Sequence, residues 1–263
     1  MKYSAGFPSR WQEDFEAVKK HSRDSTLAIP GSDEILPART PLSVMRRLRD
    51  LVELVGIQSL ILLVIWTSGR LQLVLSAVAT VTIATLIVRP SSGWRTLGLC
   101  TRNLGRSSWA VGAALAAALV LLVAAERLHT LCLPLSPEQF LSHYGGYALW
   151  AALQQLILQG LFLSRAMRLF SNATAAAALS AGMFAIAHLP NPILVAVTLI
   201  CGLASCLFFL RYRNLWPLVL AHAILGAAIA VAVPGTLDHN MRVGIAYWSW
   251  VDRPVVSESL PLP

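Results

Sequence analysis

Three apolar stretches of this chain carry side chains that can bond a polar ligand or move a proton. The first holds three amides, Gln154, Gln155 and Gln159, between Tyr147 and Gly160. The second ends in Phe184-Ala-Ile-Ala-His188-Leu-Pro-Asn191. The third runs from Pro217 through His222 to Gly226. An imidazole serves as a general base or as a donor to an oxyanion. A carboxamide donates and accepts hydrogen bonds but takes no proton near neutral pH. Four-residue spacing puts Gln155 with Gln159, and Phe184 with His188, on one helical face each, while Gln154 lies about 100° round from Gln155. A lone buried His or Gln more often ties helices together than catalyses anything. Polar groups at membrane depth are nevertheless costly, and several in order point to one buried polar centre.

The elements that must position these groups are membrane helices. Of the 263 residues, 56% are hydrophobic and 13% are charged, against about 25% charged in a soluble domain. The net charge of +8 would suggest nucleic acid in a soluble protein. Here the basic residues sit in short loops between apolar runs, the positive-inside pattern, and no basic stripe with interleaved aromatics remains for a nucleic acid. Cys100, Cys132, Cys201 and Cys206 form neither a CxxC pair nor a disulfide framework, and they read as small apolar residues.

The pattern predicts an all-α, polytopic bundle of about seven spans. Residues 1–44 form a polar cytoplasmic segment, 45–235 the membrane domain, and 236–263 an extracytoplasmic tail. Trp11, Phe15 and Val18 allow a short amphipathic helix. Thr40 and Pro41 read as N-cap and first helical residue. Spans are expected at Leu51–Thr67, Leu71–Val88, Trp109–Ala125, Tyr147 to just before Arg165, Ala173–His188, Ile193–Leu210 and Leu215–Val233. Glu53, one turn after Arg49, can pair with it. Glu126 to Gly146 reads as a loop broken by Pro134 and Pro137. Arg46 to Arg49, the Arg89–Arg106 loop, Arg165 with Arg168, and Arg211 with Arg213 all fall on one side, so the N-terminus is expected in the cytoplasm. The first 40 residues contain no apolar run, so no cleavable leader is expected, and the expected site is a bacterial plasma membrane. His222 falls nearer the cytoplasmic half than Gln155 and His188 do, so its helix must shift or tilt by about a turn to bring all three level.

In order and spacing these motifs resemble the CPBP family, also called Abi or type II CAAX prenyl endopeptidases, over roughly residues 95–230. The family pattern is Glu-Glu-x-x-x-Arg on one helix, Phe-x-x-x-His on the next, and His-x-x-x-Asn or His-x-x-x-Asp on a later one. Phe184-x-x-x-His188 is similar to the second motif, and His222 to the start of the third. The resemblance implies an intramembrane protease fold acting on membrane-associated peptides. It places His188, His222, Gln154 and Gln155 at catalytic positions, and Gln159, Phe184 and Asn191 at substrate contacts, with no cofactor. In the family the first glutamate activates a water, the histidines help bind it or stabilise the oxyanion, and the asparagine donates a hydrogen bond.

The departures are specific. Gln154 and Gln155 stand in place of both glutamates, Gln159 in place of the arginine, and Gly226 in place of the asparagine. Losing a general base costs about 10²- to 10⁴-fold in rate, and losing an oxyanion donor about 10²- to 10³-fold. Replacing a Glu–Arg pair with two amides also avoids burying charge in hydrocarbon. Three readings follow: a degenerate family member that binds a membrane peptide or partner without cutting it; an active endopeptidase with a relocated carboxylate, Glu126 or Glu138; or a scaffold or transport protein. Two histidines without a third ligand make a poor zinc site, and the spacing of His129 and His239 adds none, so no metal is expected. Membrane lipid is the surrounding partner, and nucleic acid is not expected.

Overall fold

The computed structural model of the protein describes residues 41–88, 97–101, 103–132 and 136–251. The chain divides into two units, Met1–Ser43 and Val44–Pro263, and almost all described residues lie in the second. The expected N-terminal amphipathic helix, most of the arginine-rich loop and the Pro-rich tail lie outside the described residues.

The described residues are helical, with no strand among them. Their elements are α1 (Pro41–Ile65), α2 (Gly69–Val88), α3 (Leu104–Ser107), α4 (Trp109–Arg127) and α5 (Pro137–Gln155). A π-helical stretch (Leu156–Leu163) follows, then α6 (Ser164–Leu169), α7 (Ala173–Ile186), α8 (Pro192–Tyr212), α9 (Trp216–Ala232), α10 (Gly235–Asp238), a single 3₁₀ turn and α11 (Ile245–Val251).

A helix stands at each of the seven expected segments, but fewer meet the demands of a full crossing. Four stretches are long and apolar enough: Gly69–Val88, Leu104–Arg127, Gly145–Leu169 and Pro192–Tyr212. A fifth is gained if Trp216–Ala232 and Gly235–Met241, bent by 110° at their break, form one crossing. Ala173–Ile186 is apolar but short. Helix α1 carries Arg46, Arg47, Arg49, Asp50 and Glu53 in its first half, which limits its uninterrupted apolar length.

The helix bearing the amides differs most from expectation. Its apolar crossing starts at Gly145, close to the expected Tyr147, but the helix itself begins at Pro137, where proline at the first position gives up an N–H that has no helical partner anyway. Nor does the helical path stop before Arg165; it runs on to Leu169. Both arginines inside it are paired. Arg165 Nε donates to Glu53 Oε2 at 3.1 Å, and its Nη1 and Nη2 donate to the carbonyls of Gly160 and Leu86 at 2.9 and 3.3 Å. Arg168 grips Asp50 through two parallel bonds of 2.7 and 2.6 Å, the fork geometry that suits guanidinium to carboxylate. The expected Arg49–Glu53 pair is present at 3.7 Å, but the buried arginine from a distant helix is the closer partner.

Helices α4 and α5 both pack on α9, and α7 packs on α8. The α7–α8 approach is close because residue 202 is glycine: a Cβ there would lie 3.3 Å from the Phe184 ring. Phe162, Phe209, Leu158, Leu161 and Leu215 fill the interior. Leu73, Val81, Leu119, Val120 and Ile200 point outward, while Gln155, Gln159, Asn191 and Asn214 are buried. Apolar side chains outside and polar ones inside are the arrangement of an integral membrane protein.

A neutral cavity as candidate functional site

The amides and imidazoles converge. Gln159 Nε2 donates to Gln155 Oε1 at 3.3 Å, and Gln155 Nε2 lies 3.2 Å from His222 Nδ1. The level difference expected for His222 is therefore absent, and α9 brings it directly to the amide helix. With the amide donating, Nδ1 of His222 accepts and the ring proton sits on Nε2. His188 has the opposite arrangement. Its Nδ1 lies 2.7 Å from the Phe184 carbonyl oxygen, which can only accept, so Nδ1 carries the proton and Nε2 keeps a lone pair. The Phe184 ring stands edge-on between them, 4.9 Å from His188 and 6.1 Å from His222 by ring centroids.

These groups border a cavity of about 490 Å³, within the size range of small-molecule and peptide sites. Gln154, Gln155, Phe184, His188 and His222 line it, as do Tyr147, Thr198, Cys201 and Ser205. Among the described residues no Asp, Glu, Lys or Arg is in its wall, so Glu126 and Glu138 are not placed there. Among the described residues no group of three His, Cys, Asp or Glu side chains could hold a metal ion.

Two expected site residues do other work. Gln159 is 1% exposed and stands behind Gln155, outside the cavity wall; it orients Gln155 rather than meeting a ligand. Its Oε1 has no hydrogen-bond partner among the described residues. Asn191, expected as a substrate contact, is fully buried and also outside the wall. Its Oδ1 accepts from Leu194 N–H as the cap of α8, and its Nδ2 donates to the carbonyls of Asp238 and Arg242. Cap and strap together use up the amide. The strap it holds is strained, with positive φ at His239, Asn240 and Met241, and Asn240, Met241 and Val243 line the cavity.

Sequence reasoning passed over Tyr147 except as a helix boundary. It lies seven residues before Gln154, two turns along the same face, and that spacing was the available signal. It also passed over the π-helical turn after Gln155. Its residues, Leu-Ile-Leu-Gln-Gly-Leu-Phe-Leu, are almost uniformly apolar, so no stripe betrays their period. The four cysteines are free, with Cys206 buried and Cys201 at the cavity wall.

The class of protein is thus a helical membrane protein whose polar centre is assembled from three apolar segments, with α8, which lies between the second and the third, adding Thr198, Cys201 and Ser205 to its wall. A family model, Type II CAAX prenyl endopeptidase Rce1-like, matches residues 136–228. The matched stretch contains the amide helix, Phe184, His188 and His222, and it bears out the resemblance read from the motifs. The chain is an integral membrane protein that over residues 136–228 is similar to the type II CAAX prenyl endopeptidases. No curated protein and no solved structure matches it.

Proposed function

We propose that this protein binds a membrane-associated peptide in its cavity and does not hydrolyse it. The observation that carries the reading is the Gln159–Gln155–His222 chain in a cavity whose described wall holds no carboxylate. Peptide hydrolysis through an activated water needs a group that accepts a proton near neutral pH. The imidazoles remain, but neither amide, at 154 or at 155, can take that proton, and the Gln155 oxygen is already accepting from Gln159. Shape and hydrogen-bonding capacity are retained, which suits binding. The wall's blend of apolar side chains with a few convergent polar groups fits a lipid-modified or hydrophobic peptide.

In the same reading seven helices form the membrane bundle, with α1 and α7 contributing through their packed apolar parts. The arginines gathered in the loops on one side of the apolar runs support a cytoplasmic N-terminus, in this reading in a bacterial plasma membrane. An active endopeptidase with a relocated carboxylate is the weaker reading, since Glu126 and Glu138 stand outside the wall.

The test is to restore the family pattern. The purified protein and its Gln154→Glu, Gln155→Glu, Gln159→Arg triple variant are incubated in nanodiscs with a photoreactive, S-farnesylated tetrapeptide. The native protein is expected to crosslink without cleaving. Cleavage by the native protein, abolished by His188→Ala, would sink the non-hydrolytic reading, and absence of crosslinking would sink the binding one. Cleavage gained by the triple variant would support the view that chemistry was lost at these three positions.

A further inference from the structure

Gly226 lies in α9 one turn after His222, and the place its side chain would fill is taken. A Cβ on residue 226 would overlap the Tyr147 hydroxyl and the ring carbons beside it. The Tyr147 ring stands edge-on to His222, 6.3 Å between centroids, and lines the same cavity as Gln155, His188 and His222. Among the described residues none takes a hydrogen bond from that hydroxyl. A phenol both donates and accepts, and this one lines the cavity. An acceptor on a molecule bound there would give it the partner that the described residues do not supply.

We infer that the Tyr147 hydroxyl is the cavity's hydrogen-bond donor to a carbonyl oxygen of the bound peptide. It reaches the cavity from α5, through the space that a side chain at 226 would otherwise use. The assignment rests on the peptide-binding reading above. It explains two features together: residue 226 has no side chain, and the tyrosine two turns before Gln154 sets its hydroxyl against that residue with its ring edge-on to His222. The peptide carbonyl suits this donor because it can only accept, as the lone pair on His188 Nε2 would suit a peptide N–H.

The experiment uses the full chain in nanodiscs and titrates the photoreactive, S-farnesylated tetrapeptide. Tyr147→Phe removes the hydroxyl and keeps the ring. Its apparent Kd is expected to rise about three- to tenfold, the size of one net hydrogen bond, with an unchanged melting temperature. The exchange variant Tyr147→Ala with Gly226→Asn moves a donor into the vacated space from the other helix. It is expected to bind within about threefold of the native protein, one hydrogen bond replacing another, and to melt above Gly226→Asn alone. Binding that Tyr147→Phe leaves unchanged overturns this assignment alone. No capture by the native protein overturns the peptide reading and this assignment together. An exchange variant no more stable than Gly226→Asn overturns the shared-space argument.

Discussion

One continuous helical path, from Gln154 to Arg168, passes through two regions of opposite electrostatic character. At its cavity end Gln154, Gln155 and Gln159 meet His222 without a formal charge in the described wall. A turn and a half beyond Gln159, Arg165 and Arg168 are bound to Glu53 and Asp50 of α1. Charge is kept where it locks helix to helix and is missing where a protease would use it. A buried ion pair gains enough to offset desolvation only when its geometry is good and its remaining protons are satisfied. Arg165 meets that condition, with two backbone carbonyls besides Glu53. Gln159 has no carboxylate to meet, so an arginine there would have no such compensation.

The widened turn between the two regions supplies part of that compensation. In a π-helical turn the usual backbone pairing is relaxed, and the Gly160 carbonyl is reached by both the Arg165 guanidinium and the Ser164 hydroxyl. The irregularity that ends the amide region thus provides an acceptor for the charged one.

The sharpest way to break the comparison is to remove one partner from the charged end. Arg165→Ala takes from Glu53, whose side chain is 12% exposed, its closest partner, leaving the more distant Arg49, and removes the guanidinium donor to the Leu86 carbonyl. Loss of one member of a buried pair costs about 3–5 kcal/mol. Accumulation in membranes should fall steeply, and thermal unfolding in detergent should shift down. Replacing both members, Arg165→Met with Glu53→Leu, should recover most of the loss, because well-packed apolar residues substitute for such pairs. A single variant as stable as the native protein would show that the pair is incidental.

A smaller effect is expected from charging the neutral end. Gln159→Arg alone buries a cation beside two neutral groups, at a cost of several kcal/mol before relaxation, part of which is relieved by water entering from the cavity. Adding Gln155→Glu should return stability toward the native value, since the pair is then complete. The double-variant cycle measures the coupling directly. Zero coupling between 155 and 159 would mean that the bond between their amides does not reflect the packing of a family-type pair.

How much of this was legible beforehand follows the same divide. The convergence of Gln155, His188 and His222 was readable, because polar groups in apolar runs have few places to go but inward. The helices at the seven segments were readable for the same reason. The partners of Arg165 and Arg168 were not: Glu53 lies 112 residues from Arg165, and its local spacing offered Arg49 instead. Gly226 read as a lost asparagine, and only the three-dimensional arrangement places the Tyr147 hydroxyl in the vacant position. Asn191 looked like a ligand contact because it ends the Phe-x-x-x-His segment. Its use in capping α8 and holding the strap depends on Asp238 and Arg242, some fifty residues further on.

The smallest effect is expected at His188, and it is the most informative about the neutral end. Among the described residues the one hydrogen bond of its side chain runs from Nδ1 to the carbonyl of Phe184, in its own helix segment. Removing it with His188→Phe deletes one neutral bond, worth about 0.5–1.5 kcal/mol, and fills the space with a ring that can meet Phe184 edge-on as the imidazole does. Stability should therefore change little, measured by the melting temperature in nanodiscs. If His188 belongs to a binding cavity, the same variant should lose affinity for a peptide amide, because the lone pair on Nε2 is gone, while the melting temperature holds. If His188 were instead a structural tie between helices, the order would reverse: stability would fall and peptide capture would survive in whatever protein remained folded. The two ends of one helix would then differ only in charge and not in purpose.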